Sequence, residues 1–248
     1  MTQTMDRPGA DAPVVNPRRG GDKPWPLQIW STAVGKKWVM AVTGLALLGF
    51  VLAHLVGNAK MYLGAAEYNH YAESLHQLLV PIMPEGVVLW MMRIGLLVML
   101  ILHVVSAAQL TAMNRRARPV RYQSSRDYIA ANFASRSMRW TGSIMFLFIL
   151  FHLANLTFGW LVPGFTREDV YGNVVANFEQ WPISVIYIAA NIAVAIHLFH
   201  GAWSVFQSLG LNNPRFNGVR RGFAAGVAVL VAVVNCSFPI MVLAGVVH

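Results

Sequence analysis

The chain has 248 residues, 56% hydrophobic and only 12% charged, with a net charge of +9 and a mean hydropathy of +0.50, a balance that argues against a water-soluble globular domain. Its positive charge does not imply nucleic-acid binding, because the basic residues are confined to particular loops between apolar runs. The single cysteine, Cys236, excludes an intrachain disulfide and a cysteine-held zinc or iron–sulfur site.

Residues 1–30 are rich in Pro, Gly and charge and contain no continuous apolar core. They read as a flexible cytoplasmic extension. A secretory signal is excluded because the apolar run begins only after Lys37 and has no small-residue cleavage site at its end. The segment PWPLQIW places two Trp rings where they can rest in the membrane interface. Residues 31–248 form the expected membrane domain, with apolar runs at 36–57, 87–112, 139–162, 182–209 and 218–245. Each exceeds the ~20 residues that a helix needs to cross a bilayer. Helices satisfy their own backbone hydrogen bonds in hydrocarbon, and the short alternating segments of a membrane barrel are absent. The expected fold is therefore an all-α integral membrane protein, a bundle of five transmembrane helices.

Loop charges orient the bundle. Six Lys or Arg lie before or at the start of the first run, seven Arg lie between the second run and the start of the third, and three Arg lie between the fourth run and the start of the fifth. The alternate loops carry only Lys60 and Arg167, against Glu67, Glu73, Glu85, Glu168, Asp169 and Glu179. The positive-inside rule then puts the N-terminus in the cytoplasm and the C-terminus outside. The same basic face suits retention by anionic membrane lipids.

Of eight histidines, His54, His103, His152, His197 and His200 lie in the apolar runs, distributed over helices one to four. A histidine in hydrocarbon normally faces the bundle interior with a partner. His54 lies 17 residues beyond Lys37 and His152 lies 13 beyond Arg139, rises of roughly 25 and 20 Å that place both in the outer half. His103 and His197, on the returning helices, fall somewhat deeper toward the cytoplasm. The expected pairs are His54 with His152 and His103 with His197, each joining two parallel helices. Two facing imidazoles can hold both axial positions of a haem iron, which suits electron transfer. The competing reading is a set of polar histidines that bridge helices by hydrogen bonds, with no cofactor. Gly44, Gly57, Ser106, Ala107, Ala154 and Gly201 offer room for a flat macrocycle or serve ordinary helix contacts. His197 is the deeper ligand on helix four, which leaves His200 to bond a propionate or a backbone carbonyl. Arg93 pairs with a haem propionate or snorkels to the outer boundary; Lys37 and Arg139 are comparable at the cytoplasmic boundary.

KKWVMAVTGLALLGFVLAHLVGN at residues 36–58, ILH at His103, LFHLANLTFG around His152 and IHLFHGAWSVFQSLG around His197 closely resemble the single-chain, five-helix, diheme cytochrome b membrane anchor of succinate:menaquinone oxidoreductases and fumarate reductases. The resemblance places His197, not His200, at the family's ligand position. It implies two haem b groups, with His103 and His197 on the inner and His54 and His152 on the outer. It also implies a bacterial plasma membrane and partners in a flavoprotein subunit carrying FAD and an iron–sulfur subunit. Electrons from succinate would pass through both haems to menaquinone, or the reverse in a fumarate reductase. Glu85 and His76 are the expected quinone-site residues near the outer haem, or else solvated interfacial residues, and the alternative quinone site lies near the cytoplasmic haem, close to the iron–sulfur subunit. The N-terminal extension and His200 are not part of the family pattern. A hydrogenase or formate dehydrogenase anchor would also pair deep histidines but would lack this helix-one sequence. A small transporter would show inverted repeats and broken helices.

Overall fold

The computed structural model describes residues 24–117, 132–211 and 213–248, with the helical course alone for 132–136. Most of the 1–30 extension and much of the Arg-rich segment between the second and third apolar runs therefore lie outside the described residues. Eight α-helices are described: α1 (Trp25–Ser31), α2 (Ala33–Ala59), α3 (Ala65–Ser74), α4 (Val87–Arg116), α5 (Asn132–His152), α6 (Val170–Phe178), α7 (Trp181–Ser208) and α8 (Asn217–Leu243). Five stretches are long and apolar enough to span a membrane: Ala33–Leu63, Val87–Arg116, Ser137–Thr157, Trp181–Ser208 and Pro214–Leu243. The described fold is all-helical, as the apolar runs required.

The first span begins before the expected boundary at residue 36 because Thr32 caps it, accepting from Gly35 N at 2.9 Å. Residues 25–30, grouped by composition with the extension, form α1 together with Ser31 instead. Lys36 is buried; its ammonium donates to the Trp30 carbonyl at 2.5 Å and lies 4.8 Å from the Trp30 ring centre. A Cβ at position 35 would sit 1.9 Å from the Ile29 carbonyl oxygen, so only glycine permits this close α1–α2 elbow.

The third span is shorter than the run 139–162 suggested. The α-helix stops at His152 and widens into a π turn, Leu153–Thr157. The reason is local: the buried Asn155 amide turns back to donate to the Trp160 carbonyl at 2.7 Å. Gly159 then takes φ 75, a left-handed conformation that ends helical continuation.

Helix α2 packs on α4, α5 on α7, and α7 on α8 most closely of all, whereas α2 and α5, like α4 and α7, have no comparable backbone packing. Small and β-branched residues on α8, including Ala224 and Val231 at 0% exposure, allow the tight α7–α8 contact. One buried cluster lies midway along the bundle, among Leu48, Leu55, Leu198, Val227 and Val231. A larger one at the α3/α6 end includes Met61, Tyr68, Phe178, Tyr187 and Phe238. α4 contributes only Ser106 and Leu110 to the buried set, and much of its remaining apolar surface, including Met91, Ile94, Leu97 and Ile101, is exposed, as lipid requires.

Helices α3 and α6 close the α3/α6 end over the spans. Asn69 accepts from Tyr171 N at 2.9 Å and donates to Asp169 at 2.9 Å. Asp169 caps α6 by accepting from Gly172 N at 2.9 Å. The Gly172 amide, then the Asn69 side chain, hold the Asp169 carboxyl below its usual range. Burial, helped by Tyr71, pushes the Tyr68 phenol up to about 12, so it remains a neutral donor to Asn58 Oδ1 at 3.4 Å. Asp169→Ala should destabilise this end by about 1 kcal/mol, the usual cost of a lost N-cap. Because the carboxyl is depressed in the folded state, that contribution is present at neutral pH and disappears as pH falls through the carboxylate range. Thermal unfolding in detergent at pH 7 and at acid pH checks both points: wild type and variant should converge in acid.

Candidate functional site

An imidazole in an apolar interior brings one N–H and one ring lone pair, and each needs a partner that hydrocarbon does not supply. Four helices place such rings toward one another. His54 on α2 faces His152 at the end of α5, with ring centres 6.0 Å apart and planes at 78°. His103 on α4 faces His197 on α7, with ring centres 6.5 Å apart and planes at 64°. The structure thus brings together the four histidines in the two expected pairs. Both pairs span helices that lack close backbone packing, so side chains alone meet across each gap. Among the described residues no hydrogen bond joins the two rings of either pair. A direct imidazole–imidazole hydrogen bond would draw the ring centres to about 5 Å.

The separations suit a metal held between the rings. With metal–imidazole nitrogen bonds of about 2 Å, two axial nitrogens lie about 4 Å apart and their ring centres about 6.4 Å apart. A metal cluster of three or more His, Cys, Asp or Glu is absent among the described residues, so a metal here needs its remaining ligands from a prosthetic group. Space also fits. A Cβ on Gly44 would meet His103 Cε1 at 3.2 Å, and one on Gly142 would meet His197 Cε1 at 3.5 Å. The edge of the His103 ring thus comes closer to Gly44 than a Cβ comfortably allows, whereas the His197 ring edge stands at ordinary contact distance from position 142.

The rings are anchored through Nδ1. Thr43 Oγ1 on α2 lies 3.2 Å from His103 Nδ1, and the Met40 carbonyl lies 3.2 Å from the same atom. Thr141 Oγ1 on α5 lies 3.2 Å from His197 Nδ1. At the other level, His152 Nδ1 lies 3.3 Å from the Tyr187 hydroxyl, which donates to the buried Asn155 Oδ1 at 2.9 Å. His54 stacks on Phe50, with ring centres 5.4 Å apart and planes at 12°.

These supporting residues reveal a repeat that the histidine spacing alone did not disclose. Met40, Thr43, Gly44, Phe50 and His54 on α2 recur at identical spacing as Met138, Thr141, Gly142, Phe148 and His152 on α5. Phe148 likewise packs on His152, ring centres 5.8 Å apart. The pattern was readable by superposing the third apolar run on the first. Tyr187 and Asn155 had no such signal, because only the π turn brings Asn155 under the Tyr187 hydroxyl.

Other expected residues stand apart from the pairs. His200 is half-buried, its ring 5.2 Å from Phe199. Arg93 is exposed, with its guanidinium 5.0 Å from the Trp90 ring. Glu85 and His76 are exposed at the base of one loop, closed by the 2.7 Å bond from Gly86 N to the His76 carbonyl. No hydrogen bond among the described residues links either side chain to a histidine pair. Gly57 accommodates the Tyr71 hydroxyl rather than a macrocycle, since a Cβ there would lie 2.5 Å from it. Two buried polar atoms, Gln109 Oε1 and Trp203 Nε1, have no partner among the described residues; each lies six residues beyond its helix's paired histidine, His103 or His197, a rise of about 9 Å.

Tyr187→Phe should leave Asn155 Oδ1 buried without a donor, at a cost of about 1–3 kcal/mol. Thermal unfolding in detergent should show a lower midpoint, whereas an unchanged midpoint would mean that the hydroxyl carries no structural weight.

Comparison with family models matches residues 111–235, half of the chain, to the succinate dehydrogenase/fumarate reductase transmembrane subunit. The matched segment holds His152 and His197; His54 and His103 precede it. Comparison with curated proteins and with solved structures gives no match.

Proposed function

The chain belongs to the succinate dehydrogenase/fumarate reductase transmembrane subunit family, and from that premise we propose that it is a diheme cytochrome b anchor that carries electrons between succinate dehydrogenase partner subunits and menaquinone. The observation that carries the diheme reading is the pair of histidine gaps, 6.0 and 6.5 Å between ring centres, a separation too wide for a direct hydrogen bond and suited to an axial metal.

His103 and His197 would hold the haem on the cytoplasmic side, and His54 and His152 would hold the one nearer the α3/α6 end, which faces outward. Bis-histidine haem supplies one-electron transfer with no open coordination position. The protein's part is to fix the rings, keep the gap dry and set the spacing. Thr43 and Gly44 precede His54 by 11 and 10 residues, as Thr141 and Gly142 precede His152, so the two levels lie about 16 Å apart along the bundle. The Arg-rich cytoplasmic face receives the iron–sulfur subunit, which takes electrons from the FAD-bearing flavoprotein. Trp203 Nε1 is a buried donor without an acceptor among the described residues and suits a haem carboxylate on the cytoplasmic side. Arg93 and His200 are further propionate partners. At the outward end, Glu85 and His76 share one exposed loop and serve proton exchange with menaquinone. The protein resides in a bacterial plasma membrane.

A reduced-minus-oxidised spectrum of the purified chain tests this reading, and a bis-histidine b-type signal with two components is the expected result. His54→Ala or His152→Ala should remove one component, and His103→Ala or His197→Ala the other, each with haem content reduced by about half as two haems share the chain. A folded, haem-supplied chain with no b-type signal would sink the proposal. Loss of the His103 component on replacing His54 would break the assigned pairing.

A further inference from the structure

Which ring nitrogen carries the proton decides which nitrogen is left to bind a metal. For His103 the surroundings settle the matter. The Thr43 hydroxyl gives its single proton to the Val39 carbonyl at 2.7 Å, so toward His103 Nδ1 it can only accept. The Met40 carbonyl, the second neighbour of that nitrogen, is also an acceptor. Nδ1 therefore carries the hydrogen, and Nε2 keeps its lone pair.

The opposite wall repeats the device. Thr141 Oγ1 donates to the Ser137 carbonyl at 2.9 Å and faces His197 Nδ1 as an acceptor. Both hydroxyl-bearing residues are buried, Thr43 at 2% and Thr141 at 6% exposure, so water does not compete for either bond. Gly44 gives the His103 ring the clearance to reach Thr43, since a Cβ there would stand 3.2 Å from Cε1.

From these contacts we propose that Thr43 and Thr141 are positioning residues that orient the two axial histidines of the haem at the His103–His197 level and tune its iron. Each accepts the Nδ1 hydrogen, which makes Nε2 a more basic ligand and favours the ferric over the ferrous state. The pair at the His54–His152 level is held by other groups, Tyr187 and Phe50, so the effect belongs to one haem only. This inference rests on the diheme reading above.

The test uses the full chain in its membrane, with redox titration and low-temperature paramagnetic resonance of both haems. Thr43→Val and Thr141→Val keep the side-chain shape and remove the acceptor. Each should raise the potential of the His103–His197 haem and leave the other haem unmoved. A tenfold weakening of the ferric state relative to the ferrous corresponds to about 59 mV for one electron. The double variant should give roughly the sum, because the two residues act on opposite ligands. Thr43→Ser and Thr141→Ser retain the hydroxyl and should restore wild-type potentials. The proposal is overturned if the valine variants bind both haems at unchanged potentials, if both haems shift alike, if serine shifts the potential as far as valine, or if valine empties both sites. A wild-type chain without haem would instead refute the diheme reading itself, so the two failures are distinguishable.

Discussion

Hydrocarbon cannot solvate an imidazole, so every deep histidine in this bundle must find a partner for its N–H and a use for its lone pair. That constraint organises the membrane domain. The N–H of three of the four rings is answered by a helix that packs antiparallel beside its own: α2 for His103, α5 for His197 and α7 for His152. The paired rings face one another across helices that do not pack closely on each other.

The distribution of packing follows from this division of labour. The tightest helix contact is α7 with α8, and α8 has no histidine within its span. It acts as a buttress, with Ala224, Val227, Ala228 and Val231 set against α7 and the midspan cluster. α4 is the reverse case: it buries little, leans on α2, and is joined to α7 through the facing His103 and His197 rings. A prosthetic group in that gap would therefore complete the seating of α4 as well as carry redox chemistry, since binding to the native state alone stabilises it.

The threonine–glycine step and the aromatic residue before His54 and His152 occur twice, on α2 and α5, in helices that run in the same direction. Parallel helices in equivalent positions meet the same requirement: a hydroxyl acceptor and a flat surface for a ring on the antiparallel neighbour, then a histidine three turns further on. The repetition is physical as well as sequential, because both threonines make hydrogen bonds of 3.2 Å to the same ring atom. It breaks after the histidines, where α2 continues to Ala59 and α5 widens into the π turn. Asn155 and Tyr187 make the hydrogen-bonded chain to His152 at that break.

Amino-acid order alone determined the membrane class, the five spans and the four histidines at depth, because hydropathy and helical rise are one-dimensional quantities that add along the chain. The quoted segments around those histidines also carried the family resemblance. Helix direction, read from loop charge, was enough to nominate partners for them. Tertiary structure alone decided the ring separations, the Nδ1 anchors and the early end of α5. Each depends on where a neighbouring helix puts a hydroxyl, a carbonyl or a missing Cβ. Lys36 shows the same limit: nothing in its sequence position marks it as buried, yet it packs against Trp30 because Gly35 lets α1 fold back onto α2. A spacing rule states which face of a helix a residue occupies, whereas the chemistry of an imidazole is set by what stands within 3.5 Å of its nitrogens.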